Sequence, residues 1–396
     1  MGRIFALLTV SALWLAQANA QAAGDLVLNV TLDYDQERDH VATQAVFNDL
    51  ARYLSGALGR RVKLVMTQNA ERVGERIRTD SYAMLLAPAQ LVGLAMRHGY
   101  EPVARTGTGA SVVLIARRGS GVRSLAQAKG KRLVLPHRES LVSYMVRGEL
   151  NAQGLSPASH FGQVAYMNKY GAVLYAMDIG QADLVAVKES TAGDWLRSHA
   201  GAEVIETYPR VPLAGVAVSG NLDAALKDRV RTAFTGMDAA LQARLGRAQM
   251  GSFEAAGKAD FEYVSTRGFY TPEVLTGATV VAAGQVKKLM DEGVPLFDVR
   301  PQAHYREGHI PKATNVPYQM NSPKETDYDD GVDRFDTARL PGDKNAPMIF
   351  QCNGAECWYS YKAARYMIKR GYTKIYWFRT GLPAWKAAGY PIRQGT

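Results

Sequence analysis

Short apolar runs of strand length recur along this chain, most of them followed by a stretch with helical spacing, and that alternation constrains the fold more than any other feature. LVLNVT, at 26–31, reads as a strand, and the next segment sets Ala45, Val46, Leu50, Leu54 and Leu58 on one helical face. RVKLVM, YAMLLAP, SVVLIAR, RLVLP and ADLVAVK repeat the pattern, separated by helical segments or glycine-containing turns. Strands alternating with helices predict α/β sheets covered on both faces. The periodicity fades over 250–275, in MGSFEAAGKADFEYVSTRGFYTPE, which places a domain boundary near 270. A second α/β run follows, with helices over 282–292 and 360–370 and strands over 295–299, 348–351 and 374–378. A length of 396 residues suits two or three such domains.

Residues 1–20 carry one positive charge, a short apolar core and the small residues Ala18 and Ala20, the pattern of a secretory signal cleaved after Ala20. The apolar run is shorter than the roughly 20 residues a membrane span needs. A periplasmic location is therefore expected, and Cys352 and Cys357, the two cysteines of the chain, then meet an oxidising compartment. The net charge of +10 is spread without a basic block, which argues against nucleic-acid binding and favours small anionic ligands or anionic membrane surfaces. Histidines without HExxH or paired spacing give no metal site, and no cofactor is expected. Asp327, Asp329, Asp330, Asp333 and Asp336 read as a solvated surface loop, because the glycine and final glutamate of a calcium loop are misplaced.

Cys352 directly follows the apolar run MIFQ, and helical spacing resumes at Ser360. Backbone N–H groups and the positive end of a helix at such a turn favour thiolate over thiol and can hold an anion against it. LFDVRPQAHYREGHIPKATNVPY at 296–318, the strand ending in Cys352, Ala363-Ala364, Arg370-Gly371-Tyr372 and GLPAWKAAGYPI at 381–392 together resemble a rhodanese domain. The resemblance implies a five-stranded parallel α/β domain over 266–396. Its catalytic residue would be Cys352, which accepts a sulfane sulfur as a persulfide and passes it to a thiol acceptor. Asn353, Gly354, Ala355, Glu356 and Trp358 would form the loop around the anion, while Asp298, Arg300 and His309 match framework segments and read as a strand-end ion pair and a turn histidine. The loop is two residues longer than the common pattern, and it lacks the terminal arginine of phosphatase relatives. Cys357 is open to two readings, a resolving thiol that closes a C-x4-C disulfide or a small apolar residue at the foot of the helix.

A second candidate helix start lies at LPHRESLVSYMVRGEL, where Ser140, Ser143 and Tyr144 follow a strand; free N–H groups and hydroxyls there suit an oxyanion, and ordinary helix capping is the alternative. FNDLARYLSGALGRRVKL at 47–64, AMLLAPAQLVGLA at 83–95 and GSGVRSLAQAKGKRLVLP at 119–136 resemble the phosphate/phosphonate type of periplasmic solute-binding protein. The resemblance implies a type II two-lobed fold over 21–265, with a second lobe at about 107–190. Tyr34, Ser111, Ser140, Ser143, Tyr144 and Tyr170 would line its cleft. Two functions follow as expectations. In one, the chain is an exported sulfurtransferase fused to a small-anion-binding module, served by a sulfur donor, a thiol acceptor and a membrane or periplasmic partner. In the other it is a non-catalytic solute receptor or redox scaffold with a Cys352–Cys357 disulfide.

Overall fold

The computed structural model describes residues 24–34, 40–107, 109–153, 155, 157–248, 250–267, 270–326 and 328–395; the expected export signal at 1–20 and Asp327 lie outside them. Three sheets of five or six strands organise the described residues. The first has the order Phe253–Ala255, Tyr100–Thr106, Ala214–Ser219, Met84–Pro88, Leu26–Val30, Val62–Met66. Leu26–Val30 runs parallel to both its neighbours, whereas Ala214–Ser219 lies antiparallel between Met84–Pro88 and Tyr100–Thr106. Between Tyr100–Thr106 and Ala214–Ser219 the chain builds a second sheet, ordered Ala202–Thr207, Val112–Arg117, Leu184–Lys188, Arg132–Pro136, Gln163–Met167. Insertion of the returning strand into the first sheet is the type II arrangement of a two-lobed binding fold. The chain crosses between lobes at the paired strands Gly109–Ala110 and Val211–Pro212, so the second lobe extends past the expected limit of 190.

Met84–Pro88 and Leu184–Lys188 are buried at every position, as central strands covered on both faces must be. Local chemistry sets helix starts: Asn69, Asp223 and Asp238 each accept a backbone N–H three residues on. One helix, Lys258–Thr266, falls inside the segment where periodicity had faded, because only Phe261 and Val264 on it are buried. It packs against Ala89–Arg97. The contact is close enough that a Cβ on Gly93 would stand 2.9 Å from the Val264 carbonyl carbon.

The third sheet has five parallel strands, in the order Ala278–Val280, Ile375–Phe378, Met348–Gln351, Leu296–Asp298, Thr314–Asn315. Met348–Gln351 occupies its centre, and Cys352 stands at the carboxyl end of that strand. The following helix is Trp358–Lys369, starting two residues before the expected 360 because Cys357 already takes the extended N-cap position. One sequence expectation is corrected here: Asp333 is no solvated loop residue. Its carboxylate is buried, accepts from the Tyr318 and Ser322 hydroxyls and the Asn321 and Ser322 amides, and lies 3.6 Å from the buried Lys362 ammonium. Four donors and a cation offset the desolvation of that carboxylate and tether the 318–335 segment to the Trp358–Lys369 helix. Among the described residues no helix is long and apolar enough to cross a membrane.

Candidate active site and interdomain cavity

Cys352 is 1 % exposed and is joined to Cys357 by a disulfide, with the two Cα atoms 6.1 Å apart. The four residues between them form a compact loop held from several sides. Asp298 and Arg300 pair through both carboxylate oxygens, and Arg300 extends Nη1 to the Asn353 side chain at 2.9 Å and Nη2 to the Gly308 carbonyl at 2.8 Å. The framework pair thus also sets the first loop residue. His309 stays in the framework, stacked on Tyr305 with 3.8 Å between ring centroids and buried. Gly354 has φ of +101°, a region that favours glycine. Ala355 presents its carbonyl to the Thr271 amide at 2.9 Å and hydroxyl at 2.8 Å, and the Cys357 amide donates to the Gly354 carbonyl at 2.9 Å. Trp358 is buried, edge-on to Tyr361, and closes the loop from the helix side. Gly381 seals the opposite side: its φ is +52°, and a Cβ there would lie 2.0 Å from the Cys352 carbonyl oxygen.

Glu356 points away from this domain. Its carboxylate lies 2.6 Å from Arg97 Nη2, 3.3 Å from Arg78 Nη2 and 3.5 Å from His98 Nε2, three groups of the first lobe. Burial alone would raise its pKa; the His98 hydrogen bond and the Arg97 and Arg78 charges outweigh burial and bring it down to about 2. A second acid, Glu325, reaches Arg147 at 3.0 Å and Arg138 at 3.3 Å. Between these contacts lies a cavity of about 270 Å³, walled by Leu91, Leu94, Tyr144 and Pro323 and by the arginines and glutamates just named. Gln90 also lines it; that side chain is 3 % exposed, and its Oε1 has no hydrogen-bond partner. Sequence reasoning missed Arg78, Arg97, His98, Arg138, Arg147 and Glu325, because residues so far apart in the chain carry no shared spacing.

The expected cleft residues are found in different roles. Ser140 caps its helix, accepting from the Ser143 amide at 3.2 Å, and the Ser143 hydroxyl donates to the Pro136 carbonyl at 2.9 Å; both residues are fully buried. The helix start expected to hold an anion receives the chain's own carboxylate instead: Leu141 N–H donates to Asp33 Oδ1 at 3.1 Å, and Lys188 Nζ lies 3.5 Å from Asp33 Oδ2. Tyr170 is buried beside Lys188, whose ammonium stands 5.7 Å from its ring centroid. Tyr34 stacks on His137 and donates to Glu139 at 2.5 Å, on the rim of a broad surface recess that Arg138 and Asn69 also line. Burial and the Glu139 hydrogen bond keep its phenol neutral far above the ordinary range. Ser111 is buried, and its carbonyl accepts from Glu189 N–H at 2.9 Å. Tyr144 faces the interdomain cavity and donates to the Val264 carbonyl at 2.8 Å.

Comparison with known proteins agrees with this architecture. Residues 36–261 match the periplasmic substrate-binding proteins of phosphonate ABC transporters, and residues 282–388 match the rhodanese-like domain. An HTH-type transcriptional regulator of Mycobacterium tuberculosis is 32 % identical over 102 residues, 26 % of this chain and 38 % of that protein. This chain therefore spans well under two thirds of that relative. A thiosulfate sulfurtransferase of Arabidopsis thaliana is 29 % identical over 116 residues, 28 % of this chain and 81 % of that protein. Among solved structures, a Xanthomonas citri protein bound to ATP has 18 % identity and a TM-score of 0.49, covering 61 % of this chain and 96 % of its own. The chain belongs to the family of phosphonate-type periplasmic substrate-binding proteins of ABC transporters, and it carries a rhodanese-like domain at its C-terminal end.

Proposed function

We propose that this is an exported sulfurtransferase-type protein in which Cys352 carries the sulfur and the two-lobed domain supplies a partner surface for small anions. The observation that carries the reading is the position of Cys352 at the carboxyl end of the central parallel strand, at the mouth of a loop that leads into a helix N-terminus. Partial charge at such a turn stabilises a thiolate and an anionic donor beside it. The resting disulfide must first be opened by a dithiol, which gives up two electrons and two protons and becomes a disulfide itself. The Cys352 thiolate then attacks the outer sulfur of thiosulfate; a new S–S bond forms, the thiosulfate S–S bond breaks, and sulfite leaves with the electron pair. An acceptor thiolate can take the outer sulfur, which returns Cys352 to thiolate. Attack by Cys357 on the inner sulfur instead closes the disulfide and expels hydrosulfide.

The disulfide itself favours a second reading, a redox scaffold without transfer activity. Sulfite release separates the two. Protein reduced by dithiothreitol and freed of it should release one sulfite per chain on exposure to thiosulfate, and Cys352→Ser should release none. Equal sulfite from wild type and Cys352→Ser, or none from either, would leave the scaffold.

A further inference from the structure

The loop that carries the cysteines is also one of the parts of the rhodanese-like domain that dock on the two-lobed domain, beside Glu325. Its last residue before Cys357 is Glu356, and that carboxylate is gathered by Arg78, Arg97 and His98. A second tether acts one residue earlier, where Thr271 donates twice to the Ala355 carbonyl, and Thr271 in turn accepts at its own carbonyl from Arg379 Nη2 at 2.8 Å. The geometry of four residues closed into a ring by Cys352–Cys357 fixes where the carboxylate points. Opening that ring releases the constraint on residues 353–356, and with it the register of Glu356 against Arg78, Arg97 and His98.

We propose that Arg78, Arg97 and His98 are positioning residues for the cysteine pair: through Glu356 they favour the closed, disulfide-bonded loop, so that docking of the two domains and the redox state of Cys352–Cys357 are linked. The coupling is reciprocal, as any linkage between two equilibria is. Docking makes the disulfide harder to reduce, and reduction loosens the docking. The reductive step is the one already written: a dithiol supplies two electrons and two protons, the Cys352–Cys357 bond breaks, and the dithiol is oxidised. The same contacts close the cavity of about 270 Å³, whose lining includes Glu356, Arg78, Arg97 and the buried Gln90. Loosened docking therefore opens that chamber on the side of the loop. The inference stands on the disulfide and the ion pairs, independent of any sulfur transfer.

The test is a redox titration of the full chain in dithiothreitol buffers, without any sulfur donor, reading free thiols by alkylation and intact mass. Glu356→Gln keeps the shape of the side chain and removes its charge. Its reduction equilibrium should move about tenfold toward the dithiol, a rise of about 30 mV for a two-electron couple. Arg78→Gln, on the opposite side of the contact, should move it in the same direction by a smaller factor. The double variant should shift no further than Glu356→Gln alone, because both remove one interaction. Potentials of Glu356→Gln and Arg78→Gln equal to that of the wild type overturn the proposal, as do shifts that simply add in the double variant. A variant that fails to fold leaves the other to decide, since Arg78 is 30 % exposed and its side chain can be replaced without opening the core.

Discussion

Cys352→Ser should abolish thiosulfate-dependent transfer, since a hydroxyl holds no sulfane sulfur, while Cys357→Ser should still form the Cys352 persulfide and lose the route that expels hydrosulfide. Sulfide and sulfite assays on both variants check this, and complete loss of sulfite release from both contradicts a single nucleophile. A different outcome is expected at Ser140 and Ser143, whose hydroxyls serve the helix start and the Pro136 carbonyl. Ser140→Ala with Ser143→Ala should cost about 1 to 2 kcal/mol of folding stability. Titration with thiosulfate or phosphate should show no matching loss of affinity, because the nearby helix start already receives Asp33. A hundredfold loss of affinity would restore the cleft assignment. Cys352 was legible at this scale because it directly follows an apolar run and precedes a helical pattern. Asp33 and the ion-pair role of Glu356, which the sequence placed only in the loop around the anion, were not, because a carboxylate in a sequence gives no sign of which distant donors will surround it.

At the scale of elements, the strand and helix order was readable because buried parallel strands need unbroken apolar runs. Met348–Gln351 matches its expected bounds, and the helix after it starts two residues early because the N-cap position of Cys357 is invisible to periodicity. The Lys258–Thr266 helix escaped for a related reason: one narrow apolar edge suffices when the facing helix offers Gly93. Close approach recurs at Gly381, against the Cys352 carbonyl. Gly381→Ala should therefore destabilise the chain by about 2 kcal/mol or more, through strain at positive φ and displacement of the cysteine loop. Urea unfolding measures the loss. A stability within about 0.5 kcal/mol of wild type would show that the loop yields without penalty.

For the whole molecule, the sequence carried both folds but not the contact between them, since docking rests on arginines and glutamates 178 to 278 residues apart. That contact should be sensitive to acid. The folded pKa of Glu356 is depressed to about 2, so its contribution is present in full above its ordinary value near 4.5 and is lost as pH falls toward 2. The stability difference between wild type and Glu356→Gln should accordingly stay level above about pH 5 and shrink below it; a difference that grows on acidification contradicts the ion-pair account. The central claim, that Cys352 carries sulfur in this chain, is tested most directly by intact mass. Reduced Cys357→Ser protein, which lacks the attack that expels hydrosulfide, should gain the mass of one sulfur atom on exposure to thiosulfate, located by peptide mapping at Cys352 and removed by an added thiol. No gain on a protein whose Cys352 thiol titrates freely would contradict it.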